Sequence, residues 1–271
     1  MAIEKMTGRQ AFIKLLLDEG VTHMFGNPGT TELAIMEAVP QFPELTYVLG
    51  LQESIVVGMA DGFARASGKL TACNLHCAPG LGHAMGAIYS AKFSGSPIII
   101  TAGQYEVGYG LQEPLLYDDL VPIAAPLVKW SFEVTRIEDL PRVIRRAAKI
   151  AMTAPTGPVF ISLPGSVLDE EAEIDFGFPT RVDSATRPGD ETLKQLAERL
   201  LQAKKPVMIA GREIANQDVF AEACELAELL GAAVYQESVP YNARYPNTHP
   251  TCMGDLTRRS EEHTSELQSP M

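Results

Sequence analysis

Leu70-Thr71-Ala72-Cys73-Asn74-Leu75, then a Pro/Gly turn, then an apolar helical pattern from about Leu81 to Phe93, then Pro97-Ile98-Ile99-Ile100-Thr101-Ala102: this stretch decides the fold. Its two outer runs are short and apolar. Ile98-Ile99-Ile100-Thr101 is rich in β-branched residues and lacks polar alternation, the pattern of a strand buried on both faces. The same β–α alternation extends both ways. Upstream, Thr7 to Gly20 reads as a helix capped by Thr7, with Phe12, Leu15 and Leu16 on one face. Thr22 to Phe25 is a short strand, Gly26-Asn27-Pro28-Gly29 must turn, and a helix follows from Thr30 or Thr31 to Val39. Tyr47 to Leu49 is a strand, and Ser54 to Ser67 is a helix lined by Ile55, Val56, Met59 and Phe63. Downstream, a less regular stretch reaches Pro126. A strand runs through Val134, a helix spans about Glu138 to Met152, and Pro158 to Leu163 is the last strand of the set. Repeated alternation predicts an α/β fold, a parallel sheet with helices on both faces, over residues 1–165.

From Ser166 to Gly189 the pattern dissolves into acidic residues and prolines, and 166–189 is expected to be a linker. A helix to about Gln202, strand Val207-Met208-Ile209-Ala210, a helix to Leu230 and strand Ala233-Val234-Tyr235 give a second, Rossmann-like α/β unit over 190–258. Two or three strands do not close a core, so this middle domain is expected to be incomplete.

The 271 residues carry 22 basic and 34 acidic side chains, a net charge of −12. That balance argues against a nucleic-acid binder, whose footprint is basic. It does not exclude anionic ligands, which helix N-termini can hold. No apolar run reaches membrane-spanning length without a charge or a breaker. Met1-Ala2-Ile3-Glu4-Lys5 lacks a secretory pattern. Four cysteines do not make a disulfide framework, so a reducing, cytoplasmic setting is expected.

Gly80-Leu81-Gly82-His83-Ala84-Met85-Gly86 is reminiscent of a dinucleotide fingerprint, but its third glycine is one residue late and three β–α units precede it. A tight turn with close helix packing is the plainer reading. Cys73, His76 and Cys77 form a local thiol–imidazole cluster, without the four ligands of a structural zinc site or the orienting group of a cysteine nucleophile. Glu53, in Leu51-Gln52-Glu53, stands at a strand–helix junction. A first-turn glutamate favoured by the helix dipole explains it, yet parallel sheets also place ligand sites at such strand ends. Three loops would share that edge: Gly26 to Thr30, Leu51 to Glu53, and His76 to His83.

These residues carry a resemblance. Phe25-Gly26-Asn27-Pro28-Gly29, Leu51-Gln52-Glu53 and Ala60-Asp61-Gly62-Phe63-Ala64-Arg65-Ala66-Ser67-Gly68 look like the N-terminal pyrimidine-binding domain of thiamine diphosphate enzymes, in the group of acetolactate synthase, pyruvate oxidase and benzoylformate decarboxylase. Asn74-Leu75-His76, Thr101-Ala102-Gly103-Gln104 and Leu127-Val128-Lys129-Trp130-Ser131 most resemble the benzoylformate decarboxylase branch. The resemblance implies that Glu53 hydrogen-bonds the cofactor's pyrimidine nitrogen, favouring the tautomer that activates the thiazolium, and that His76 transfers protons. Asn27, Pro28, His76 and His83 are then expected beside the cofactor, with Thr30 and Gln112 toward a 2-keto acid substrate. Thr30 stands where that branch has serine, His83 where the family usually has asparagine, and Leu111 precedes Gln112 where synthases have phenylalanine.

The resemblance also implies a homodimer or tetramer in the full-length protein, and Mg2+ held by a diphosphate-binding domain that Met253-Gly254-Asp255-Leu256 does not supply. This chain is expected to be the pyrimidine-side part of a 2-keto acid decarboxylase, inactive by itself. An acetolactate synthase-like carboligase fragment and a non-catalytic nucleotide-binding module are the alternatives. Arg259 to Ser269 matches the in-frame translation of a common sequencing adapter, so 259–271 is expected to be an artefact rather than natural protein.

Overall fold

A computed structural model of the chain describes residues 3–183, 186–238 and 243–256. Two compact units divide between Ser184 and Ala185. The first begins with β1 (Ile3–Thr7), α1 (Gly8–Asp18), β2 (His23–Gly26), α2 (Leu33–Ala38), β3 (Thr46–Leu49) and α3 (Glu53–Ser67). It continues through β4 (Thr71–Leu75), α4 (Cys77–Ser94), β5 (Ile98–Gln104), α5 (Leu120–Ala124), β6 (Ser131–Glu133), α6 (Leu140–Met152), β7 (Val159–Pro164), α7 (Gly165–Asp169) and β8 (Glu171–Asp175). Six strands form a parallel sheet in the order β3-β2-β4-β5-β7-β6.

Side chains alternate across a strand, and β5 shows the result. Ile99 packs into a core with α1, α2, α6 and α7, while Ile98 and Ile100 pack into a second core with α3, α4 and α5. Helices therefore cover both faces, as the unbroken apolar run of β5 requires. Strand order reverses at β2: β3 lies on one side and β4 on the other. The loops leaving β2 and β4 diverge there and open a crevice at the C-terminal strand ends.

Three boundaries differ from the sequence reading. Helix α4 starts at Cys77, a full turn before Leu81, so Gly80, Gly82 and Gly86 lie inside the helix rather than in a turn. Pro79 sits in the first turn, where its missing N–H costs nothing. The expected linker is also corrected at its start. Residues 165–175 form α7 and β8, and β8 pairs antiparallel with β1, from Ile3↔Asp175 to Thr7↔Glu171. Acidic β8 is ordered by its pairing with β1, so local composition does not reveal it. The expected helix over Thr7–Gly20 likewise begins after a strand.

The second unit contains α8 (Asp190–Gln202), β9 (Val207–Ala210), α9 (Glu213–Asn216), α10 (Phe220–Leu230), β10 (Ala233–Gln236) and β11 (Cys252–Asp255). Its sheet is parallel in the order β11-β10-β9. The buried core among the described residues is small, built on Ala210, Ala227, Val234 and Tyr245. Residues 257–271, with the adapter-like segment, lie outside the described residues. No helix among the described residues is long and apolar enough to cross a membrane.

Candidate active site

Glu53 opens α3, directly after the turn from β3. Gln52 caps the helix, its side-chain oxygen accepting the Ser54 N–H at 2.8 Å and the Ile55 N–H at 3.2 Å. The cap holds the backbone, leaving the Glu53 carboxylate to face the crevice. Asn27 Nδ2, from the loop after β2, donates to Glu53 Oε1 at 3.2 Å. His83 Nδ1, from the second turn of α4, lies 3.2 Å from Oε2. Gly80 gives this carboxylate room: a Cβ there would stand 3.2 Å from Oε1 and 3.3 Å from Cγ.

A second carboxylate, which the sequence reading did not single out, organises the other half of the crevice. Glu32 is fully buried. Its Oε2 accepts the Gly29 N–H at 2.8 Å and lies 2.8 Å from His76 Nδ1. Its Oε1 accepts the Gly103 N–H at 2.9 Å and the Thr31 hydroxyl at 2.6 Å. The hydroxyl touching this cluster is thus that of Thr31, 3.3 Å from His76 Nδ1 and 3.3 Å from Cys77 Sγ. Neighbouring Thr30 is exposed. The available signal was a Thr-Thr-Glu start immediately after Pro28-Gly29, the same strand–loop–acid layout that drew notice to Glu53. Gly29 is required as well, since a Cβ there would fall 2.2 Å from His76 Nδ1.

An ionised carboxylate only accepts hydrogen bonds, so the His76 nitrogen facing Glu32 carries the proton. That leaves Nε2 as the atom able to exchange protons elsewhere. Behind this pair, the Tyr47 hydroxyl donates to Asn74 Oδ1 at 3.4 Å. Burial, reinforced by the Glu32 carboxylate, pushes the Tyr47 hydroxyl pKa up and keeps it protonated. Asn74 Nδ2 is buried without a hydrogen-bond partner among the described residues. Burial also raises the Cys73 and Cys77 thiols, so neither is a poised thiolate. Cys77 begins α4 at φ +48°, an uncommon conformation for a residue with a Cβ.

The crevice therefore brings together Asn27, Glu53, His76 and His83, with Pro28 in the loop between Asn27 and Gly29. Gln112 stands apart, exposed on a helical turn over Tyr109–Gln112. That turn borders a cleft lined by Gln104, Tyr105, Leu111, Tyr117 and Glu133. The one cluster among the described residues with metal-ligand spacing is Glu32, His76 and Cys77. A thiol and an imidazole are the wrong donors for Mg2+, which takes oxygen ligands, so this crevice does not fit that ion.

A doubly covered parallel sheet with a buried carboxylate at its switch point makes this an α/β domain with a candidate ligand site. Comparison with known proteins narrows the class. Residues 6–119 match the family model described as thiamine pyrophosphate enzyme, N-terminal TPP binding domain, and residues 193–269 match the central domain of the same enzymes. The chain belongs to the thiamine pyrophosphate enzyme family. It is 36% identical over 253 residues to benzoylformate decarboxylase of Pseudomonas aeruginosa, covering 92% of this chain and 48% of that protein. It is 29% identical over 259 residues to acetolactate synthase isozyme 3 large subunit of Escherichia coli, covering 94% and 45%. Among solved structures, the thiamine diphosphate-dependent 4-hydroxybenzoylformate decarboxylase of Rhodococcus jostii RHA1 aligns with TM-score 0.84 at 36% identity, covering 93% of this chain and 48% of that one. Benzoylformate decarboxylase of Polynucleobacter necessarius aligns with TM-score 0.83 at 36% identity, over 93% and 47%. The chain spans about half the length of the relatives it matches.

Proposed function

We propose that this chain forms the pyrimidine-side half of a thiamine diphosphate site in a 2-keto acid decarboxylase of the benzoylformate decarboxylase kind. The observation that carries the reading is the buried Glu53 carboxylate, held by Asn27 and given space by Gly80 at the switch point of the sheet. A ring nitrogen placed there meets a carboxylate able to hold or give one proton. When bound, thiamine diphosphate supplies the electron sink for decarboxylation. Glu53 then exchanges a proton with the pyrimidine, while Asn27 fixes the rotamer that does so. His76 moves a proton at Nε2, its ring orientation set by Glu32 in the way a triad acid orients its histidine. Thr30 and Gln112 are the proposed substrate contacts, through a hydroxyl and an amide. The imidazole and thiol of this crevice do not suit Mg2+, so Mg2+ and the diphosphate would be held by other groups, and the described residues by themselves are expected to turn over neither benzoylformate nor pyruvate.

The histidine at position 76 favours decarboxylation over the carboligase reading. Four free thiols support a reducing, cytoplasmic setting. Exposed Leu49, Leu51 and Ile55 beside the site support assembly into a homodimer or tetramer. Calorimetric titration with thiamine diphosphate tests the cofactor half of the proposal in the assembled enzyme. Parallel turnover of benzoylformate and pyruvate tests the reaction. Efficient acetolactate formation from pyruvate, with no benzaldehyde from benzoylformate, would replace this reading by the carboligase.

A further inference from the structure

We propose that Glu32, His76 and Cys77 form a binding site for a divalent cation of the zinc class, and that the bound ion takes His76 out of proton transfer; the second half rests on the role given to His76 above. A Glu32 carboxylate oxygen, His76 Nδ1 and Cys77 Sγ all lie within 4.8 Å of one another. Zinc bonds of about 2.0–2.3 Å put donors on one ion roughly 3.3–3.6 Å apart. Nδ1 stands 2.8 Å from Glu32 Oε2 with a proton between them. An ion that replaces this proton parts the pair by about half an ångström. The surroundings are already those of a ligating carboxylate, whose oxygens need outer hydrogen bonds: the Gly29 and Gly103 N–H groups hold them at 2.8 and 2.9 Å. Cys77 is kept at φ +48° by the fold, with Sγ 3.3 Å from the Thr31 hydroxyl, which is also 3.3 Å from Nδ1. Three protein donors and one open corner suit a zinc site that is not purely structural.

Charge and softness agree with this geometry. Glu32 is fully buried, and its ion-pair partner is a histidine rather than a lysine or arginine. A carboxylate and a thiolate bring two negative charges, so a dication leaves the buried cluster neutral, as the cost of buried charge favours. Thiolate and imidazole select zinc over magnesium or calcium. On binding, the Cys77 S–H bond breaks and its proton leaves to solvent, because a coordinating thiol is deprotonated outright. Bonds form from the ion to Sγ, Nδ1 and Oε2, and the His76 proton moves from Nδ1 to Nε2. One proton is released per ion, with no change in oxidation state. In the metal-free cluster Nε2 is the bare nitrogen. In the loaded cluster it carries the hydrogen and accepts no other. Access is through the crevice, where the His76 side chain is 22% exposed. The ion therefore loads the cofactor-free protein and needs no opening in the assembled enzyme.

Cobalt(II) added to the 271-residue chain is expected to give visible bands and a thiolate-to-metal charge-transfer band. Zinc should bleach them, and excess Mg2+ should not. Cys77→Ser, or Cys77→Ala if the serine variant does not fold, should abolish the charge-transfer band, and joint Cys224→Ser and Cys252→Ser should keep it. A band that survives replacement of Cys77, or disappears with the other two thiols, overturns the site. Nitrogen-15 NMR is expected to show zinc converting His76 from the Nδ1–H to the Nε2–H tautomer, and an unchanged ring overturns its ligation. In the assembled enzyme, zinc given before thiamine diphosphate and Mg2+ is expected to slow turnover at least about tenfold. Cys77→Ser, measured against its own zinc-free rate, should lose little, and equal losses overturn the effect on His76. If the zinc-free enzyme decarboxylates no 2-keto acid, the proposed function falls, and the cobalt and nitrogen-15 measurements still decide the metal site.

Discussion

Glu32 is a buried carboxylate satisfied by four donors: two backbone N–H groups, one hydroxyl and one imidazole. Glu32→Gln presents an NH2 to two of them, leaving donors face to face. Unfolding in denaturant is expected to show a loss of roughly 1–3 kcal/mol, the cost of unsatisfied buried donors. Gly29→Ala attacks the same cluster by volume, because its Cβ would lie 2.2 Å from the His76 ring. It is expected to turn His76 away from Glu32, visible as a changed ring-nitrogen shift. The thiols give a test of burial. Raised pKa values mean less thiolate at any given pH, so Cys73 and Cys77 should resist iodoacetamide at pH 8. Cys224 and Cys252, which are partly exposed, should be alkylated first, and mass mapping of a timed reaction checks the order. Modification of Cys77 at the rate of Cys224 would contradict the burial argument.

At the scale of elements, α1, α6 and the chain after β8 meet at one buried carboxylate. Glu19, the C-cap of α1, accepts Arg145 Nη1 at 2.8 Å and is also paired with Arg181. Arg145 further donates through Nη2 to Asp18 at 3.0 Å and through Nε to the Phe176 carbonyl at 3.2 Å. The Glu19 side chain is fully buried and that of Arg145 is 11% exposed. Arg145→Ala takes the charged donor from one carboxylate oxygen while Arg181 still pairs with the other, so it is expected to cost roughly 1–3 kcal/mol in denaturant unfolding. The same scale shows what the sequence made legible. Local patterns placed the alternation, because β5 buries both faces and α3 has helical apolar spacing, although Ile55, read as part of its lining, is exposed and the buried face is Val56, Val57, Ala60 and Ala64. They misplaced the start of α4, where Pro79 and three glycines mimic a turn, although Pro79 is tolerated in the first helical turn and Gly80 leaves room for the Glu53 carboxylate. They missed β1 and β8, whose order comes from pairing between the first and last strands of the first unit. They missed Glu32 for the same reason, since one of its donors, Gly103, is 71 residues away. Glu53 drew notice because a strand–helix junction is a local signal, and its role came from the resemblance. Its partner His83 was named from resemblance, and only the fold brings the two within 3.2 Å.

For the molecule as a whole, the first unit leaves apolar side chains in water around the crevice: Leu51 is 85% exposed and Ile55 54%. Leu51→Asp with Ile55→Asp is expected to shift the chain toward monomer in sedimentation velocity, with the thermal midpoint changed little, because both residues are already solvated. Persistence of the wild-type sedimentation coefficient would remove this face from assembly. The β1–β8 pair has a different consequence. Ile3 lies opposite Asp175, so the first and last strands of the first unit lie side by side. A short linker can join those strands, and fresh termini can be cut in an exposed turn such as Gly68–Lys69, at the far end of α3 from Glu53. The unit is thus a closed loop of chain whose starting point is arbitrary, and a circular permutant is expected to rebuild the same crevice.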